Sequence, residues 1–389
     1  MTATTHDIAP RATTTSPTTF PLHLAAVLFA STSVIVGVIW DISWHRSIGR
    51  DTFWTPAHLA IYTGGIVAGL ACGWLVLRTT FAGREVQRPA SVRFWGFRGP
   101  LGAWVAIWGA IAMIASAPFD NWWHNAYGLD VKILSPPHVL LALGFTGIQL
   151  GALFMLAARQ NDAAPDDSRL PAYRWWFVYA AGLLVCNLAI MWMETIGFPN
   201  HAHTAAYYKI CAGAFPILLV AAARASTLRW PATTAAAVYM AVNILMLWIL
   251  PLFPATPKLA PIYNAVDHFV PPPFPLLLVF PALVIDLVVR RGPENDWARA
   301  AVIGVGFVLV LLAVQWTWSM YLVSPASENF VFGAQRWDYS GRVGTWQHQF
   351  WNMRGSPLTV GSVVTAMAIA VAGSRLGLWW GAWMARVRR

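Results

Sequence analysis

Residues 22–77 read LHLAAVLFASTSVIVGVIWDISWHRSIGRDTFWTPAHLAIYTGGIVAGLACGWLVL. Two apolar runs, at 22–41 and 57–77, flank one polar turn. A helix of roughly 20 apolar residues crosses the hydrocarbon core of a bilayer, so the stretch predicts a membrane-crossing hairpin. Working outward, runs of the same kind lie at 101–119, 137–158, 175–194, 205–223, 233–253, 272–289, 300–323 and 357–374. The expected fold is an all-α polytopic membrane bundle of about ten transmembrane helices arranged as repeated helical hairpins. Composition agrees, since 11% of the 389 residues are charged against roughly 25% in soluble domains. Residues 1–19, rich in Thr and Pro, read as a disordered cytoplasmic tail and lack the apolar core of a signal peptide. Residues 20–158 hold the motifs described below, and 159–389 form the remaining bundle with a long outer loop at 324–356. Residues 376–385 read as an interfacial helix, because Arg375 would otherwise sit mid-membrane.

The net charge of +10 does not indicate nucleic acid, because the arginines fall in short clusters between apolar runs, as topology signals do. With the N-terminus inside, the cytoplasmic segments hold 18 of the 26 Lys and Arg residues, and an even number of spans returns the basic C-terminus to the same side. Histidine goes the other way, with only His6 and His23 on the cytoplasmic side. His45, His58, His124, His138, His201, His203, His268 and His348 all fall at the opposite, outer face. So do Asp41, Asp51, Asp120, Asp130, Glu194, Asp267, Glu328 and Asp338. The three cysteines, Cys72, Cys186 and Cys211, lie in or beside apolar runs and build neither a disulfide framework nor a CxxC metal knot. No nucleotide-binding loop, hydrolase elbow or CxxCH haem motif is present.

The first turn has a second copy. Trp40–His58 reads WDISWHRSIGRDTFWTPAH, and Phe119–His138 reads FDNWWHNAYGLDVKILSPPH. Asp41 matches Asp120, Trp44 Trp123, His45 His124, Gly49 Gly128 and Asp51 Asp130. With one residue inserted in the second copy, Thr55-Pro56 matches Ser135-Pro136, and His58 matches His138. The unit is an out-and-back hairpin, and the chain reads as five hairpins, of which two carry the motif.

Asp41 and His45 are four residues apart, so both project from one helix face. Thr55-Pro56 is a helix start, with Thr as N-cap and Pro at the first helical position, and it puts His58 in the first turn of the next helix. A short reversal then brings two imidazoles and a carboxylate together at the membrane boundary, a set suited to copper, zinc or iron. Asp51 and Asp130 are candidate acceptors for the second ring nitrogen of a ligand histidine. Asp120, His124 and His138 repeat the pattern. The bland alternative is that helix-end Asp and His bond to water and loop backbone, although matched polar groups at a membrane boundary are costly unless used.

Asp41-x-x-x-His45, then Arg50-Asp51-Thr52, then Thr55-Pro-Ala-His58, resembles the membrane metal motif in the C-type chain of the particulate methane and ammonia monooxygenases, the copper membrane monooxygenases. The resemblance covers about 40 residues, or two hairpins with the repeat. It implies Asp41, His45 and His58 as ligands of copper, with zinc possible, in the inner membrane of a bacterium. It also implies partner membrane subunits and a small apolar substrate entering from the lipid. The second copy, Asp120, His124 and His138, follows the outline with Leu129 in place of the arginine. Phe53 stands where the family has a second acid, this chain is longer than the family's, and no cupredoxin-like domain is fused to it. Two other readings stay open: a carrier of metal or small solutes, and a non-catalytic assembly component of a membrane complex. Against a carrier, the spans show no ionisable residues at mid-depth and few matched Gly/Pro breaks.

Weaker candidates lie on the same face. His201 and His203 follow Glu194 in a looser cluster, and His268 precedes a helix restart without the partners that His58 has. The loop 324–356 carries Trp337, Tyr339, Trp346, Phe350 and Trp351, with Asp338 and His348, and reads either as a lid or as an interfacial aromatic belt. Met191 and Met193 read as packing residues.

Overall fold

The computed structural model describes residues 19–49, 52–82, 91–128, 135–258, 266–336, 339 and 355–388. In chain order the elements are α1 (Leu22–Ser47), α2 (Pro56–Phe81), the strands β1 (Val92–Phe94) and β2 (Phe97–Gly99), α3 (Leu101–Tyr127) and α4 (Pro136–Asp162). There follow α5 (Leu170–Met191), the single turn α6 (Met193–Ile196), α7 (Ala205–Ala225), α8 (Pro231–Ile249), α9 (Val279–Arg291), α10 (Asp296–Leu322) and α11 (Val360–Met384). Among the described residues, nine helices are long and apolar enough to cross a membrane. The chain is a polytopic helical membrane bundle.

The expected span at 272–289 takes a different form. Residues 269–276 have no regular secondary structure, and α9 begins only at Val279. The sequence there is Pro271-Pro-Pro-Phe-Pro275, and proline removes the backbone donor and drives the preceding residue out of the helical region. Buried backbone without a helix must find other partners. Ser47 accepts from the N–H of Val270 at 2.7 Å, Tyr239 from Leu276 at 3.1 Å, and Gln315 from Leu277 at 3.0 Å. Ser43 and Arg46 donate to the carbonyls of Val270 and Pro271. This segment still returns the chain across the bundle. It starts beside Phe253, which accepts from the N–H of Phe269, and ends where Arg290 donates to the carbonyl of Arg229, just before α8.

The C-terminal tail also differs from expectation. Residues 376–384 continue α11 and do not form a separate interfacial helix. Gly373, Gly377 and Gly381 recur every four residues along α11 and meet Ile217, Val220, Ala221 and Arg224 of α7 so closely that a Cβ at Gly377 would lie 2.6 Å from the Ile217 carbonyl. Small residues at this spacing let two membrane helices approach along their length. Arg375 is not stranded at mid-depth, because its guanidinium stands 5.3 Å over the ring of Trp297, the second residue of α10.

Side-chain ties gather the arginine-rich end of the bundle. Asn161 donates to the carbonyls of Met384 and Val387, Gln160 to that of Ala225, and Arg224 faces Asp296 at 3.9 Å. Asp286 of α9 caps α8 by accepting from the N–H groups of Ala232 and Thr233. Except for His23, in the first turn of α1, the described histidines collect at the other end.

The two motif hairpins pack alike. A Cβ on Gly64 of α2 would stand 2.4 Å from Val34 and 2.8 Å from the Ala30 carbonyl of α1. One on Gly144 of α4 would stand 2.6 Å from Met113 and 2.9 Å from the Gly109 carbonyl of α3. Met113 and Gly109 follow Val34 and Ala30 at the same offset at which Asp120 follows Asp41. The repeat therefore extends from the turn into the helix contact below it. Gly109→Val, whose Cβ would lie 2.5 Å from the Gly144 carbonyl, is expected to cost about 1–3 kcal/mol, read as a lower thermal unfolding midpoint in detergent. Gly73→Val, with open space around it, is expected to leave the midpoint unchanged.

Candidate metal centre

α1 runs beyond the apolar stretch to Ser47, so Asp41 and His45 occupy its last two turns. Gly49 follows at φ 95°, a conformation open to glycine and costly for other residues, and the chain turns back. Thr55 accepts the N–H of His58 at 3.1 Å, and Pro56 opens α2, as the cap motif predicts. His58 is thereby the third residue of α2. Its Nε2 lies 3.4 Å from Asp41 Oδ1, while His45 Nε2 lies 3.8 Å from Asp41 Oδ2. One carboxylate stands between two imidazoles. His58 Nδ1 lies 3.0 Å from the carbonyl of Thr52. A carbonyl only accepts, so Nδ1 carries a proton there, and a neutral His58 then turns its Nε2 lone pair toward Asp41.

The second copy repeats this construction. α3 runs to Tyr127, and Gly128 turns the chain at φ 85°. His138 is the third residue of α4. His124 Nε2 lies 3.4 Å from Asp120 Oδ2, and His138 Nε2 lies 3.5 Å from Asp120 Oδ1. One ligand atom from each of the three residues falls within 4.8 Å of the other two. The cap is weaker than in the first copy. Ser135 holds the N-cap position, but its side chain makes no capping hydrogen bond. All six residues are partly open to solvent, from 16% for the His58 side chain to 43% for that of His45. Asp51 and Asp130 lie outside the described residues.

These separations carry chemical information. A charge-assisted hydrogen bond brings nitrogen and oxygen to about 2.7–2.9 Å, closer than any of the four pairs. Two donors about 2.1 Å from a tetrahedral ion stand about 3.4 Å apart. Three of the four pairs lie within 0.1 Å of that edge. In addition, Asp120 Oδ1 and His124 Nδ1 are buried and have no hydrogen-bond partner among the described residues. An orphaned carboxylate oxygen facing an imidazole is a donor set that a cation would satisfy.

The other outer-face histidines are engaged one by one. His201 is buried and donates from Nδ1 to the Thr195 carbonyl at 2.9 Å. His203 packs edge-on against Trp316, with ring centroids 4.2 Å apart. Burial pushes the Glu194 carboxyl above its ordinary range. His268 pairs with its neighbour Asp267 and holds that carboxyl below the usual range. Of the loop aromatics, Tyr339 is buried and donates to the Phe332 carbonyl. Trp337, Asp338, Trp346, His348, Phe350 and Trp351 lie outside the described residues. Met191 packs against the core, and Met193 borders an apolar cleft beside the Pro272–Leu276 segment.

Two features of the site lie beyond the motif. The Thr52 carbonyl orients His58, but a backbone acceptor leaves no mark in side-chain identity. The glycine contacts beneath each turn recur at the repeat offset inside the apolar runs, where hydropathy alone does not single them out.

Comparison with known proteins adds no relative: no family model, curated protein or solved structure matches this chain.

Burial lowers the pKa of His201 from the ordinary imidazole value of about 6.5. The unfolded chain then takes up its proton first as pH falls, so this contribution to stability is complete above about pH 6.5 and is lost on acidification toward the folded value. His201→Gln is expected to flatten the fall in unfolding midpoint between about pH 7 and about pH 5. An unaltered slope in a pH series of melting curves would remove His201 as its source.

Proposed function

We propose that the chain is an integral membrane metal-binding protein. Its two sites are Asp41, His45 and His58, and Asp120, His124 and His138, at the ends of paired helices. The observation that carries this reading is the spacing of the donors: both carboxylate–imidazole pairs of the Asp120 set and one of the two in the Asp41 set are wider than a hydrogen bond and close to the edge of a tetrahedral coordination shell. Copper is the proposed ion, with zinc as the substitute. Nitrogen and carboxylate donors accommodate both, and the resemblance of Asp41–His58 to the copper monooxygenase motif favours copper.

Within that reading each residue has a task. Asp41 and Asp120 neutralise charge and bridge the two helices of a hairpin. His58 and His138, fixed in the first turn of their helices, close the set from the opposite side. The Thr52 carbonyl holds the His58 ring so that Nε2 points inward. Three protein donors leave a position open, and a copper ion held there would supply redox and Lewis-acid chemistry at the membrane boundary. The monooxygenase-like role, with partner membrane subunits and a small apolar substrate arriving through the lipid, is the finer part of the proposal. So are the outer-face placement of the sites, the cytoplasmic termini and the bacterial inner membrane, which follow from the arginine bias and the resemblance.

Metal content of the detergent-purified chain, measured by plasma mass spectrometry after copper loading and chelator washing, tests the reading. One or two coppers per chain are expected. His58→Ala and His138→Ala should each lose one site, by more than the 10- to 100-fold that loss of an outer partner costs, with elution and unfolding midpoint unchanged. A wild-type chain that retains no metal would leave the paired clusters as braces between helix ends.

A further inference from the structure

The β-hairpin between α2 and α3 belongs to neither metal set. Its register pairs Arg93 with Arg98 and Phe94 with Phe97. Like charges placed directly opposite each other are destabilising unless something neutralises them. Among the described residues neither arginine has an acidic partner.

The hairpin is fixed in place. Thr80 of α2 bonds the N–H of Arg98 at 2.8 Å, and the indole of Trp104 donates to the Val92 carbonyl at 3.2 Å. Side chains alternate across a strand, so Phe94 and Phe97 share one face and the two arginines share the other. Phe94 packs on Trp104 and Trp108 of α3, with centroids 5.5 and 5.8 Å apart, which turns the arginine face away from that helix. The tip residue Trp95 also meets Trp108, at 6.0 Å, a position about 10 Å along α3. The tip therefore lies along the flank of a membrane-crossing helix.

The turn itself is unusual. Trp95 and Gly96 both have positive φ, 47° and 87°, as a two-residue hairpin turn requires, and such turns favour Asn, Asp or Gly. A tryptophan there is strained, yet it is 80% exposed. An exposed indole in a costly backbone position gains most where one side meets lipid and the other meets headgroups.

We infer that this hairpin is a clamp for the phosphate of an anionic phospholipid, with Arg93 and Arg98 forking the phosphate and Trp95 and Phe94 lying in the adjoining acyl region. Paired guanidiniums match phosphate geometry. The hairpin also sits at the arginine-rich end of the bundle, where an anionic leaflet complements the charge. The inference is independent of the metal sites.

Native mass spectrometry of the detergent-purified full chain, titrated with phosphatidylglycerol and with phosphatidylcholine, tests it. Wild type is expected to retain phosphatidylglycerol in preference. The Arg93→Gln/Arg98→Gln pair should weaken that retention roughly thirtyfold, from two surface charges, and the Arg93→Lys/Arg98→Lys pair, which keeps the charges but loses the planar fork, should retain less than wild type and more than the glutamine pair. Unchanged melting curves would show that the variants fold. Equal retention by wild type and the glutamine pair overturns the clamp. So does an equal loss in Arg291→Gln/Arg386→Gln, which removes two charges elsewhere at that end. Displacement of the lipid by excess inorganic phosphate would assign the site to free phosphate and overturn the lipid.

Discussion

Water is absent from the middle of a bilayer, so every peptide N–H and C=O there must be satisfied by the protein itself. Much of this structure answers that constraint. Among the described residues, nine long apolar helices satisfy their own backbones. Where prolines forbid a helix, at 271–275, the polar side chains Ser43, Arg46, Ser47, Tyr239 and Gln315 take over. Those side chains look like misplaced polar residues in their own helices. Across the bundle they are the partners that let a non-helical strand of chain stay buried.

The same constraint shapes the candidate metal centre. A helix end at the membrane boundary can use polar side chains that its middle cannot. Both motif helices run past their apolar stretch to present an aspartate and a histidine in their final turns. Glycine then reverses the chain, and a proline-led helix brings back the third residue. Close glycine contacts lower in each hairpin hold the two helix ends at a fixed distance. The 3.4–3.5 Å separations between carboxylate and imidazole thus depend on packing well below the site.

At the opposite end the demands reverse. Arginines are spread over the helix ends and mostly answer to topology, yet a few are drawn into specific structure. Arg375 stacks on Trp297, and Arg224 lies between α7, α10 and α11. The hairpin carrying Arg93 and Arg98 is the one described sheet element, and it lies where soluble loops would be expected.

The sequence by itself determined the spans, the separation of arginine from histidine and the doubled motif. These depend on composition and short spacing, which survive whatever the helices pack against. It also placed Thr55-Pro56 and Ser135-Pro136 at helix starts, because capping is local chemistry. Only the tertiary structure decided the rest. It replaced the first part of one expected helix, 272–278, by irregular chain that, with Val270 before it, has its partners on three other helices, and it joined 376–384 to α11 through glycines facing α7. It set Asp41 and Asp120 each between two histidines at a given distance. The first two depend on contacts between residues far apart in the chain, and the last on how closely the glycines let the two helices of each hairpin pack.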